Sequence, residues 1–256
     1  MSFKNKILRA LIATVAFATA AATHAAGPEL RLDKAPLQFD NASLQHGAKL
    51  FINYCLNCHS ASYLRYNRLQ EIGLSDQQIK DNLLFTADKV GDLMTIGMRP
   101  AEAKQWFGAA PPDLTVIARS RASHYGSGAD WLYTYLRQFY RDTNRPTGWN
   151  NVVFESVGMP HAMWDLQGEQ VAHFVEREDG HGGKAKHLER LEIVKAGKMP
   201  KEEYDEAVAD LVSFITWMGE PSQHNRKQIG GWVLAVLAVL GVLTYLLKRS
   251  IWKDLH

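Results

Sequence analysis

Residues 55–59 read Cys-Leu-Asn-Cys-His, and they contain the only two cysteines of the 256-residue chain. A C-x-x-C pair admits a disulfide, a redox-active dithiol or half of a zinc site. Zinc needs a second pair of ligands at suitable spacing, and the sequence offers none. His59, directly after the second cysteine, decides the reading, because C-x-x-C-H is the attachment signature of c-type haem. The spacing has a physical reason. Thioether bonds from Cys55 and Cys58 to the porphyrin edge hold a short helical turn against the ring, and the turn aims the His59 imidazole at the iron. One covalently bound haem c is expected, in a mainly α domain.

Working outward, an electron-transfer haem takes a second axial ligand, usually Met or His. Met94, Met98, Met159 and Met163 are candidates, as are several histidines, and the simplest role for any single methionine is apolar filler. Met98 in Gly97-Met98-Arg99-Pro100 and Met159 in Gly158-Met159-Pro160 both have loop settings that could present a sulfur. Spacing does not choose between them. Upstream of the motif, Asn41 or Ser43 can cap a helix running through Phe51, with Gly47 and Phe51 on one face. Residues 27–40 are broken by proline and read as extended. Residues 129–140 read as a helix with a heavily aromatic side, and residues 178–187 (EDGHGGKAKH) as a flexible exposed loop. A last soluble helix is predicted from about Lys201 to Met218, stopped by Gly219 and Pro221. No internal repeat and no strand-rich block stands out; helix dominates.

The two ends set the compartment. Lys4, Lys6 and Arg9 precede the apolar run Ala10–Ala22 and the small residues of Thr23-His24-Ala25-Ala26, the layout of a secretory signal peptide over residues 1–26. Residues 229–247 (IGGWVLAVLAVLGVLTYLL) carry no charge and no polar face, and as a helix they would cover about 28 Å, close to the hydrocarbon thickness of a bilayer. Lys248, Arg249 and Lys253 follow at once and place the tail, residues 248–256, in the cytoplasm. Arg226 and Lys227 flank the other side, so the orientation rests mainly on the signal peptide. Residues 27–228 then form an exported, periplasmic domain on a bacterial inner membrane, anchored to membrane lipid by a single pass. The formal charge of +2 falls to about −3 over residues 27–247 once the three N-terminal cations and the net +2 of the tail are set aside. A mildly acidic domain of this kind suits a basic protein partner, and no nucleic-acid partner is expected.

Beyond the haem motif, the sequence resembles the cytochrome c1 family, the haem subunits of the quinol–cytochrome c oxidoreductase (bc1) complex. The likeness covers nearly the whole mature chain. It is carried by the helix before CLNCH, the segment Gly108-Ala109-Ala110-Pro111-Pro112-Asp113-Leu114, the later Val157-Gly158-Met159-Pro160, the closing Trp217-Met218-Gly219-Glu220-Pro221 and the single C-terminal span. The resemblance implies a class I c-type cytochrome core with insertions, in which the first and last soluble helices cross closely; Gly47 and Phe51 against Phe214 and Trp217 fit that arrangement. It implies haem attachment at Cys55 and Cys58, His59 and Met159 as iron ligands, Pro111 and Pro112 lining the pocket, and Arg121 (with Arg119 as rival) at a haem propionate. The sequence departs from the family at Pro160-His161-Ala162, where a double proline is more familiar, and this keeps Met163 as a minor rival ligand. The implied role is an electron relay that catalyses no bond chemistry on its own. Electrons would come from the Rieske iron–sulfur protein and go to a soluble or membrane cytochrome c, with cytochrome b beside the anchor, in a dimeric complex. A cytochrome serving another membrane complex, a haem peroxidase and a thiol–disulfide oxidoreductase are the competing classes.

Overall fold

The computed structural model describes residues 31–178 and 184–254; the expected signal peptide lies outside them. Helix α1 spans Asn41–Leu50. Its cap is Asp40, not Asn41 or Ser43: the Asp40 carboxylate accepts from the backbone N–H groups of Ala42 and Ser43, each at 3.1 Å, which satisfies two of the donors a helix start leaves orphaned. From Phe51 to Cys55 the helix widens, with Leu56 N–H donating to Phe51 O at 2.9 Å, an i→i+5 bond of the kind found at functional sites. The Cys55 carbonyl then accepts from the N–H groups of Cys58 (3.1 Å) and His59 (2.9 Å). The haem motif is thus one tight turn continuous with α1.

Leu44, Gly47, Ala48 and Phe51 recur at helical spacing and are buried against the long helix Lys201–Gly219. Two glutamates in the first turn of that helix, Glu202 and Glu203, complement its dipole. The crossing is close because Gly47 sits at it. A Cβ there would lie 2.7 Å from Phe214 Cβ and closer still to the Asp210 carbonyl oxygen. Phe51 and Phe214 meet with ring centroids 5.6 Å apart, and Trp217 stacks on Phe214 at 5.7 Å, so the expected pairing of the first and last soluble helices is present. Each large side chain buried there contributes about 1.5–3 kcal/mol. The aromatic helix predicted for residues 129–140 is observed as Gly128–Arg137, begun by a reciprocal capping box between Ser127 and Asp130. Arg137 near its end bonds Asp205 through Nε (2.6 Å) and Nη2 (3.1 Å) and Asp33 through Nη1 (3.0 Å). The segment before α1 is extended as expected, tied down where Asp33 and Ala35 N–H donate to Thr134 Oγ1 and Asp130 Oδ1, both at 2.8 Å.

Helix dominates the described residues, but three antiparallel strand pairs accompany it: β1 (Ala61–Arg65) with β2 (Leu93–Met94), β3 (Phe139–Arg141) with β4 (Trp149–Asn151), and β5 (Gly168–Glu178) with β6 (Lys184–Ala196). The last pair corrects the reading of residues 178–187 as a loop. Within it Glu178 pairs with Lys184 and Glu176 with Lys186, so of that stretch the described residues belong to a long hairpin. Its base is held where Gln170 Nε2 donates to Phe139 O at 2.6 Å and Arg141 and Lys195 flank Glu169 at 2.8 and 3.0 Å.

The C-terminal helix runs Gln223–Ile251, and its apolar residues from Ile229 onward are exposed on every side, Leu234 by 70%. A helix apolar all round with nothing packed on it suits hydrocarbon rather than water. The stretch Arg226–Ile251 is long and apolar enough to cross a membrane, and it contains the predicted span.

Candidate functional site

A cavity of about 310 Å³ gathers the site residues implied by the family resemblance: Cys55, Cys58, His59, Pro111, Pro112, Arg121 and Met159 all line it. The rest of its wall is mostly apolar and aromatic, drawn from the helix Gly128–Arg137, from Phe107 and Phe154, and from Ile215 of the long helix.

His59 is 8% exposed. Its Nδ1 lies 2.7 Å from the Pro112 carbonyl oxygen. A carbonyl only accepts, so Nδ1 carries the proton and Nε2 keeps a free lone pair, the arrangement a metal-binding imidazole needs. Burial lowers the His59 pKa, against opposing contributions from Pro112 and Asp113, and favours the neutral ring. The proline segment is pinned beside the motif by further bonds. Leu114 N–H donates to Ser60 O at 2.9 Å, and the Asp113 carboxylate accepts from Ser62 N–H (2.7 Å), Thr115 N–H (2.8 Å) and Thr115 Oγ1 (2.6 Å). Burial opposes the Asp113 charge, but those hydrogen bonds outweigh it and hold the group below the ordinary carboxylate value. The Pro-Pro-Asp stretch therefore acts as a brace that orients the imidazole.

Neither cysteine is in a disulfide. Burial pushes Cys55 up to about 12 and raises Cys58 as well. A thiol–disulfide oxidoreductase works through a thiol of lowered pKa, so these environments run against that class. Of the four candidate methionines, Met159 lines the cavity and accepts a hydrogen bond on its sulfur from Tyr135 Oη at 3.4 Å. Met94 and Met163 are buried elsewhere in the core, and Met98 is not on the cavity wall. At the departure from the family pattern, His161 stacks on Phe139 at 4.9 Å, and burial pushes it down to about 4. The neutral imidazole also meets the Trp149 ring edge-on at 5.1 Å. Arg121 lines the cavity with its guanidinium 4.6 Å from the Trp131 ring centroid and 5.9 Å from Phe154; Arg119 is exposed and off the wall.

The donor set fits a c-type haem on the structure's own terms. Two neutral thiols, one imidazole with a free Nε2 and one thioether meet in a single apolar cavity with a guanidinium on its wall. Sequence reading passed over Tyr135, Trp131 and Phe154. The aromatic side noted for residues 129–140 was the available signal for the first two. It also passed over Tyr54, a wall residue whose hydroxyl donates to Asp165 at 3.3 Å while Lys198 Nζ approaches the same carboxylate at 2.9 Å.

Comparison with known proteins adds an independent line. The sequence profile described as the Cytochrome C1 family matches residues 31–255. The chain is 49% identical over 234 residues to the ammonia monooxygenase gamma subunit of Nitrosomonas europaea, covering 91% of this chain and 92% of that one. It is 44% identical over 248 residues to cytochrome c1 of Allochromatium vinosum, covering 96% and 98%. Cytochrome c1 of Rhodospirillum rubrum is 26% identical over 235 residues, covering 85% and 83%.

Proposed function

The chain belongs to the cytochrome c1 family, and from that premise we propose that it relays single electrons in a bc1 complex, taking them from a Rieske iron–sulfur protein and passing them to a soluble or membrane cytochrome c. The convergence of Cys55, Cys58, His59 and Met159 on one apolar cavity carries the reading. Haem bound there supplies one-electron chemistry, Fe(III) to Fe(II) and back. Cys55 and Cys58 would hold it by thioether bonds. His59 and Met159 would supply its iron ligands, the imidazole fixed by the Pro112 carbonyl and the thioether by its loop. Two protein ligands that stay in place in both oxidation states would keep reorganisation small and leave no room for a substrate on the iron, the property that separates a carrier from a haem peroxidase. Pro111 and Pro112 wall the pocket, and Arg121 offers a charge-assisted bond to a propionate.

Residues 1–26 are the export signal, 27–228 the periplasmic haem domain, 229–247 the anchor and 248–256 the cytoplasmic tail. Cytochrome b packs beside the anchor in a dimeric assembly. The test is a reduced-minus-oxidised spectrum of the tagged protein purified from membranes in mild detergent. Signals from b-type haem, with an iron–sulfur subunit on the gel, support the bc1 assignment. The relative named as an ammonia monooxygenase subunit favours a second reading, an electron-delivering subunit of a membrane oxygenase. Copurification of a copper- or iron-containing oxygenase in place of the b-type haem and iron–sulfur partners would favour it.

A further inference from the structure

Three residues before Met159, Ser156 stands at φ 61°, the one non-glycine residue with positive φ among the described residues. A Cβ makes that conformation costly, and it persists where neighbouring bonds impose it. Here both backbone groups of Ser156 are held by the hairpin of β3 and β4. Its N–H donates to Asn150 Oδ1 at 2.9 Å, and its carbonyl accepts from Arg145 Nη2 at 2.7 Å. The hairpin is itself well fixed. Asn150 is 5% exposed and donates through Nδ2 to Asp142 Oδ2 at 2.9 Å. Within the turn, Asp142 N–H donates to Gly148 O at 3.1 Å, Arg145 N–H to Asp142 O at 3.1 Å and Gly148 N–H to Arg145 O at 2.9 Å. Beyond Ser156, Val157 is buried on the cavity wall. A Cβ added to Gly158 would stand 3.0 Å from the carbonyl oxygen of Phe107, another wall residue. The chain entering Met159 thus has little slack once Ser156 is held.

We propose that the β3–β4 hairpin is a latch on the methionine loop, with Arg145 and Asn150 as positioning residues that hold Ser156 in its strained conformation and so retain Met159 as the iron ligand; this rests on the reading of Met159 as an axial ligand. Freed from the latch, Ser156 relaxes to an ordinary negative φ, and that rotation redirects the chain that presents the sulfur. A thioether is a neutral ligand with one lone pair to give, so its hold on ferric iron depends on how firmly the surrounding bonds keep it in place. By the reciprocity of linked equilibria, the latch favours the bound methionine as much as the bound methionine favours the latch.

The test titrates the oxidised, intact detergent-purified complex with imidazole and follows loss of the methionine-to-iron charge-transfer band. Arg145→Ala removes one charge-assisted bond to Ser156, and half-displacement is expected at an imidazole concentration about tenfold below that of the parent. Adding Ser156→Gly to that variant should recover at least half of the loss on a logarithmic scale, because glycine takes positive φ without penalty. A residue that merely stabilises the fold would leave the half-displacement point at the parent value, and that outcome overturns the proposal. A glycine that deepens the loss overturns it too, since strain at Ser156 would then not be what the latch holds. In the unaltered protein, saturation with imidazole should speed hydrogen exchange at the Ser156 amide about tenfold. Unchanged protection there overturns the proposal even if the variants do not accumulate. Met159→Leu is the control on the premise. If it keeps the charge-transfer band, the ligand reading fails; if it loses the band while Arg145→Ala titrates like the parent, the ligand reading stands and the latch falls.

Discussion

Gly47→Ala is expected to destabilise the protein although alanine is the better helix former. At position 47 an added Cβ would stand 2.7 Å from Phe214 Cβ and 2.8 Å from the Asp210 carbonyl carbon. Backbone of a 19-residue buried helix does not yield as a flexible side-chain tip does, so the two helices must separate. Overpacking of this kind costs about 1–3 kcal/mol, and the backbone contact argues for about 3. Alanine recovers about 1 kcal/mol of helix propensity, leaving a net loss of about 2 kcal/mol. For a domain of this size that lowers Tm by about 4–8 °C. The assay is thermal unfolding of the detergent-purified, haem-loaded protein followed by far-UV circular dichroism. Gly91→Ala is the matched control, because nothing lies within 4 Å of its added Cβ, and it is expected to stay within about 0.5 kcal/mol of the parent. A Gly47→Ala protein that melts with the control, or above it, would refute the claim that the crossing has no room for a methyl group.

Met159→Leu is expected to give misligated or high-spin haem with a potential lower by about 59 mV or more, a tenfold change or greater, read by absorption and redox titration. Asp205 is held below its ordinary value of 3.8 because bonds from Arg137 and Lys201 outweigh its burial. A folded-state pKa below the unfolded one stabilises in full above about pH 5, and the contribution is lost as pH falls through the folded value. Asp205→Asn should therefore cost about 1–3 kcal/mol at neutral pH and flatten the acid limb of a stability–pH curve; a parallel curve would count against the ion pair. Ending the chain after Ser222 should move the haem protein from the membrane to the soluble periplasmic fraction, as followed by haem-stained fractionation.

The residues that chemistry forces into one pattern were legible in the sequence. C-x-x-C-H tolerates no other order, a 19-residue uncharged run announces a helix long and apolar enough to cross a membrane, and Gly219 and Pro221 mark the end of the last soluble helix to within one residue. The hairpin of β5 and β6 was not legible. Its strands pair chiefly with each other, most of its residues are at least partly exposed, and ion pairs such as His173–Glu192 occupy positions where a half-buried strand would show alternating apolar residues. Residues 178–187 then read as a loop throughout, although Glu178 and residues 184–187 belong to the paired strands. The helix cap slipped by one residue because Asp40, Asn41 and Ser43 are all competent caps and only backbone geometry distinguishes them. Within the site, spacing left four methionines open. The family resemblance pointed to Met159, and the structure places that residue on the cavity wall in contact with Tyr135, 24 residues away in sequence.

The most direct test of the haem assignment is whether one haem remains covalently attached to the purified chain through Cys55 and Cys58. Intact mass and the pyridine haemochrome spectrum would be measured after denaturation and acidic acetone extraction. The expected result is one haem per mature chain, retained through extraction, with a c-type band, and a haem-bearing peptide that contains Cys55–His59. Haem released by the solvent, or a chain whose mass shows both thiols free, would contradict the assignment.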